Sequence, residues 1–264
     1  MRNLFMKTLY DKRVFIIGWG LGLAFVGYLM TIFYPAFHQD NGLDQLIKSL
    51  PPALQGLVGN LDNLKELSTY LGSQLFNVRI PIFLSVLTIL LAVGLTVGEE
   101  EKGQIRILAG LPLSRRSIVL SKWLAIVFIC VVASLMTIAG ILVGLAVIKE
   151  TLDTMVLVRL GSLMTLLSIA LATIIFGVGL ATGKKGLTTA VGVLVAVGSF
   201  LLTTFASAVS WLVPYEKLSI LHYFPAPDIA KGTVDGMNII VYAAITVIFL
   251  ALAFILFRRR DLRG

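Results

Sequence analysis

Residues 98–122, GEEEKGQIRILAGLPLSRRSIVLSK, form a charged island between two long apolar segments. Three consecutive carboxylates at 99–101 stand where the first apolar segment ends, and the basic pair Arg115–Arg116 stands where the second begins. A short amphipathic run lies between these charges. A plain connection between membrane helices needs only a few polar residues. The length and mixed charge of the island therefore favour a docking surface, with an ordinary charged loop as the alternative.

The composition around this island is that of a membrane protein. The 264 residues are 58% hydrophobic, with a mean hydropathy of +0.95, whereas soluble domains are nearer half apolar. Six windows are apolar for about twenty residues, which is the length that crosses a ~30 Å hydrocarbon core as a helix. They cover residues 14–34, 80–97, 123–148, 156–181, 187–213 and 237–257. No segment alternates as a barrel strand would, so the sequence predicts a single all-α integral membrane domain over 1–264.

The charges predict how this domain is oriented. Six spans place both termini and the second and fourth connections on the same side. That side carries 15 bases and 5 acids, a balance of +10, and the other side has a balance of −2. The positive-inside rule therefore places both termini and the island in the cytoplasm. Topology and anionic lipid headgroups account for the net charge of +8, which argues against nucleic acid as a partner.

Three segments outside the spans have patterns of their own. Residues 1–13 are basic and amphipathic, which predicts an interfacial helix leading into the first span, with a disordered leader as the alternative. Residues 35–76 are too many for a structureless loop, so short helices on the outer membrane surface are expected. Residues 214–236 are rich in proline and aromatic side chains, which favours a broken helix dipping into the outer leaflet.

The chemistry of a self-sufficient transporter or enzyme is not evident. Ionisable side chains are absent from the spans apart from Arg159, near the start of the fourth, which weakens an ion-coupled carrier. His38 and His222 lie in predicted external segments without a metal-binding pattern, so no metal site is expected. The stretch GLATGKKG at 179–186 lacks the glycine spacing and hydroxyl residue of a phosphate-binding loop. No catalytic residue is therefore assigned.

Small residues four positions apart predict close contacts between helices, within the bundle or across a dimer. The pairs are Gly18/Gly22, Gly140/Gly144 and Gly179/Gly183.

The charged island carries the most specific motif. It reads E-x-x-x-G, then L-P-L-S-R and a lysine, here Glu99–Gly103, 111–115 and Lys122. With these residues, the basic leader, the large first external loop and the long segment before the last span, the chain resembles membrane permease subunits of the ABC-2 class of ATP-binding-cassette transporters. The resemblance covers nearly the whole chain. Gln104 stands where the family often has threonine.

The resemblance implies a function and a set of partners. Residues 104–113 would be the coupling helix, which docks on a separate ATPase subunit. Two ATPase subunits, which bind ATP and Mg²⁺, would drive a pair of permeases, either two copies of this chain or this chain and a homologue. No cofactor is expected in the chain itself. Such permeases sit in the cytoplasmic membrane and usually export amphipathic compounds such as drugs, antibiotic peptides or lipids. The alternative is an ATP-independent channel or secondary carrier.

The expected docking residues combine an apolar face with charged edges. Ile105, Leu108 and Leu111 recur at a spacing of three and can seat against an apolar groove. Pro112 can end the short helix, and Ser114 can cap the third span. The full predicted set is Glu99, Glu100, Glu101, Gly103, Ile105, Arg106, Leu108, Leu111, Pro112, Ser114 and Arg115.

Overall fold

The computed structural model describes residues 2–39, 66–103, 114–206 and 209–260, which form helices joined by short connections, with no strand among them. The α-helices are α1 (Arg2–Asp11), α2 (Arg13–Gln39), α3 (Leu67–Glu101), α4 (Arg115–Ile148), α5 (Thr154–Thr182), α6 (Lys185–Ala206), α7 (Ala226–Ala230) and α8 (Gly236–Arg259). Two 3₁₀ helices, Ser210–Leu218 and Ile220–Tyr223, lie between α6 and α7. Six helices, α2 to α6 and α8, are long and apolar enough to cross a membrane, which confirms the predicted six spans.

The bundle is organised around α5. This helix is the most enclosed of the six and packs against α3, α4, α6 and α8. Outside it, α2 lies along α4, while α2, α6 and α8 turn most of their surface outward. The predicted all-α membrane architecture is therefore confirmed.

The leader is helical, as predicted, but its apolar face does not lie only toward a membrane. Leu4 of α1 packs against Ile118 of α4, and the Phe5 ring meets the Phe128 ring edge-on at 6.2 Å. Met6 stays exposed. The leader is thus attached to α4 through part of its apolar side.

Helix α3 begins well before the predicted span at 80–97. Its first part, Leu67–Tyr70, runs into a π-helical stretch, Leu71–Arg79, and residues 67–76 are buried. A side chain at Gly72 would come within 3.0 Å of the Ala226 carbonyl oxygen, so α3 and α7 approach closely here. The prediction of surface helices over 35–76 is therefore wrong for 67–76, which belong to the bundle. Residues 40–65 lie outside the described part of the chain.

Other span limits shift because hydropathy marks apolar residues and a helix can continue through polar ones. Helix α4 begins at Arg115, eight residues before the predicted 123, and α2 passes through Pro35 to end at Gln39. Helix α6 ends at Ala206, short of the predicted 213.

The interrupted helix predicted over 214–236 is confirmed, and hydrogen bonds attach it to the bundle. Ser219 Oγ donates to the Ser199 carbonyl oxygen of α6 at 2.9 Å. Tyr242 of α8 donates through its hydroxyl to the Ile220 carbonyl oxygen at 3.0 Å. These bonds satisfy polar groups where the backbone leaves regular helix. The depth of this segment in the membrane stays a prediction.

Glycines allow α2 and α4 to pack closely. A side chain at Gly140 would overlap the Ala24 carbonyl, and one at Gly144 would come within 2.6 Å of Thr31. Side chains added at Gly18 and Gly22 would meet none of the described residues within 4 Å. The expectation of close helix contacts is therefore confirmed within the chain at Gly140/Gly144, whereas a contact at Gly18/Gly22 across a dimer stays a prediction.

Gly140→Leu is expected to lower the free energy of unfolding by about 2 kcal/mol, because the added side chain overlaps the α2 backbone. Gly18→Leu, on an open face, should change it by less than about 0.5 kcal/mol. Thermal unfolding in detergent, followed by tryptophan fluorescence, measures both variants. Equal melting temperatures for the two would contradict the packing described here.

Candidate functional site

The three consecutive carboxylates lie at one end of the bundle, here called the basic end. It comprises the end of α3, the start of α4, the turn between α5 and α6, and the end of α8. The start of α2 is there as well, since Lys12 Nζ lies 3.1 Å from the position of a side chain added at Gly94 of α3. The first and last spans thus both reach this end, as predicted. That it faces the cytoplasm stays a prediction.

The carboxylate of Glu99 is paired with a buried lysine. Lys122 Nζ lies 2.6 Å from Glu99 Oε2, and the lysine side chain is only 1% exposed. Lys122 also donates to the Leu95 carbonyl oxygen at 2.8 Å. That carbonyl is next to a break in α3, where Thr96 leaves the helical conformation with φ −111° and ψ −96°. Lys122 therefore joins α4 to both sides of this break, and Glu99 balances its buried charge.

Glu100 reaches a different helix. Its carboxylate is paired with the Arg260 guanidinium, and both side chains are largely buried. Arg260 also donates to the Leu180 carbonyl oxygen near the end of α5, at 3.1 Å. Glu100 and Arg260 therefore connect α3 to the ends of α5 and α8.

Glu101 forms the weakest of the three pairs. Lys185 Nζ, at the start of α6, lies 3.1 Å from Glu101 Oε2, and both side chains are more than half exposed. Exposed pairs contribute little to stability. Consecutive helical residues point about 100° apart, so the three neighbouring carboxylates reach three different helices.

At the basic end, Arg115 connects the start of α4 to the end of α8. Its guanidinium donates to the Phe257 carbonyl oxygen at 2.9 Å and to the Arg260 carbonyl oxygen at 2.7 Å. A cation here satisfies carbonyls at the end of α8 that have no helical partner. Ser114 caps α4, because its Oγ accepts from the Ser117 backbone N–H at 3.1 Å, which confirms the predicted cap.

The backbone conformation explains why the E-x-x-x-G motif has a glycine at its last position. Gly103 ends α3 with φ +71°, a left-handed conformation that favours glycine, and its N–H donates to the Glu100 carbonyl oxygen at 2.9 Å. The motif therefore combines a helix-ending glycine with carboxylates that fasten the preceding turn.

The structure brings together part of the predicted docking set. Glu99, Glu100, Glu101, Gly103, Ser114 and Arg115 flank the segment 104–113. The other predicted residues lie inside that segment and outside the described residues: Ile105, Arg106, Leu108, Leu111 and Pro112. The carboxylates at 99–101 and Arg115 were expected at the edge of an ATPase groove, and each has a partner within the chain. Their role in docking stays a prediction.

The sequence did not predict two of the basic side chains that pair with the carboxylates. Lys185 and Arg260 were counted only as cytoplasmic charges, although each binds one of the carboxylates. The topology placed them at the correct end of the bundle, but the order of helices around it was needed to pair them. Within the described ranges, no three His, Cys, Asp or Glu side chains are grouped to hold a metal ion.

The chain matches a known protein family. The sequence profile of the family described as ABC-2 family transporter protein matches residues 3–262, nearly the whole chain. A search among curated proteins finds no match.

Proposed function

Because the chain belongs to the ABC-2 family of transporter proteins, we propose that it is the permease subunit of a transporter driven by separate ATPase subunits. Six helices that are long and apolar enough to cross a membrane fit a multi-pass transport component of this family. The docking site for the ATPase would be the segment 104–113 with its flanking residues.

The single observation that carries this proposal is the anchoring of both ends of that segment. On one side, Glu99 and Glu100 attach the end of α3 to Lys122 and Arg260. On the other side, Arg115 attaches the start of α4 to the end of α8. A displacement of 104–113 would therefore pull on α3, α4 and α8 together. An ATPase subunit can change the conformation of the permease only if its docking segment is connected to helices that move with it.

The proposed assembly has two permeases and two ATPase subunits in the cytoplasmic membrane. The second permease is either another copy of this chain or a homologue. ATP-driven movement of the ATPases would rock the helices between inward-open and outward-open states. The scarcity of ionisable side chains in the spans suits an amphipathic cargo, such as a drug, an antibiotic peptide or a lipid, better than a bare ion. Export is the direction proposed.

The test is co-purification of the tagged full chain from its native membranes in mild detergent, followed by mass spectrometry. We expect a soluble protein with a nucleotide-binding loop in the purified sample. Transport in vesicles that contain both proteins should require ATP. Recovery of the chain alone, with cargo movement that is independent of ATP, would overturn the proposal and favour a channel or secondary carrier.

A further inference from the structure

A groove at the basic end lies outside the ion pairs described above. It runs between the start of α4 and the end of α8 and has a volume of about 660 Å³. Its main lining residues are Arg116, Leu120, Ala251, Phe254, Ile255 and Arg258. Helix α8 packs chiefly on α5 and less closely on α4, and the residues that line the groove belong to α4 and α8 and to Ser114, the N-cap of α4.

The lining changes from charged to apolar along both helices. On α4, Arg116 is followed one turn later by Leu120. On α8, Ile255 and Ala251 lie one and two turns inside Arg258. The groove therefore has two cations at the boundary of the membrane-spanning helices and an apolar floor within them.

These two arginines differ from their neighbours. Arg115 and Arg260 donate to carbonyls of the chain, whereas the exposed side chains of Arg116 and Arg258 have no hydrogen bond or ion pair with any described residue. Arg115 also binds the carbonyls of Phe257 and Arg260. It therefore holds together the two helix ends on which Arg116 and Arg258 lie.

We propose that this groove binds an anionic membrane phospholipid. The phosphate would bind Arg116 and Arg258, and an acyl chain would lie along Leu120, Phe254 and Ile255. Arginine matches phosphate oxygens with a planar set of N–H donors, and basic side chains at a membrane surface attract anionic headgroups. The proposal is independent of ATPase docking.

A lipid fits this groove better than a protein does. The floor lies in the membrane-spanning part of α8, which a soluble subunit does not reach. A second copy of the chain, with its basic end on the same side of the membrane, would bring its own +10 balance toward two free arginines. A phospholipid supplies the opposite charge and an apolar chain in one molecule.

The experiment is native mass spectrometry of the full chain, purified in detergent micelles that contain equimolar phosphatidylglycerol and phosphatidylcholine. Wild type is expected to retain phosphatidylglycerol in preference to phosphatidylcholine. Arg116→Gln/Arg258→Gln should reduce the retained phosphatidylglycerol about tenfold, because two surface cations are lost. Lys102→Gln/Lys184→Gln removes two exposed charges from the same end but outside the groove, and should retain the lipid as wild type does.

A second variant tests the apolar floor without changing charge. Ala251→Phe fills the groove, and it should also reduce retention of phosphatidylglycerol, even if the arginine double variant fails to fold. Equal retention by wild type and Ala251→Phe would overturn the proposal. An equal loss in Lys102→Gln/Lys184→Gln would overturn it too, because general surface charge would then explain the binding.

Discussion

Leu108→Asp is expected to lower the affinity of the chain for its ATPase about a hundredfold, with loss of ATP-driven transport. The change places a carboxylate on the apolar face that Ile105, Leu108 and Leu111 share in the predicted coupling helix. An unpaired charge in an apolar groove costs about 3 kcal/mol, which corresponds to that loss of affinity. Co-purification and stimulation of ATP hydrolysis in reconstituted vesicles measure the effect.

The matched control is Gly110→Asp, which introduces the same charge within the same segment. On a helix over 104–113, residue 110 lies opposite the face of Leu108, so this variant should keep its ATPase. Both variants should insert in the membrane, since neither position is in a span. Normal transport by Leu108→Asp would contradict the assignment of 104–113 as the docking helix.

Lys122→Met is expected to produce the largest loss of stability, about 3 kcal/mol, because it leaves the largely buried Glu99 carboxylate without its partner. It also removes the donor to the Leu95 carbonyl beside the break in α3. Thermal unfolding of the purified chain in detergent gives the change in stability. Transport activity after reconstitution with the ATPase would show whether movement of the docking segment passes through the break at Thr96 in α3.

A double variant separates the charge effect from lost packing. Glu99→Gln/Lys122→Met removes both charges and should recover a large part of the stability that Lys122→Met loses. Lys185→Met breaks the exposed pair with Glu101 and should cost less than about 1 kcal/mol. If Lys122→Met were no less stable than Lys185→Met, the buried pair would not be the principal anchor of α3.

Much of the fold follows from local pattern. Long apolar windows required six helices, because backbone groups in lipid must bond within their own segment. Ser114 before the third span predicted the N-cap of that helix, and the proline-rich stretch before the last span predicted an interrupted helix. The even number of spans placed the carboxylates and the C-terminal arginines at one end. Each of these is a property of neighbouring residues or of a count along the chain.

The remaining features depend on which helices are neighbours, and local pattern does not contain that information. The stretch 67–76, which mixes polar and apolar residues, is buried because α7 and α2 pack against it. Gly18 and Gly140 each begin a pair of glycines four apart, yet among the described helices of this chain only Gly140 of the two faces another helix. The pairing of Glu99 with Lys122 and of Glu100 with Arg260 required the order of helices around α5. Sequence therefore decided the number and approximate positions of the spans through hydropathy, whereas tertiary packing alone decided their limits and which buried charges neutralise each other.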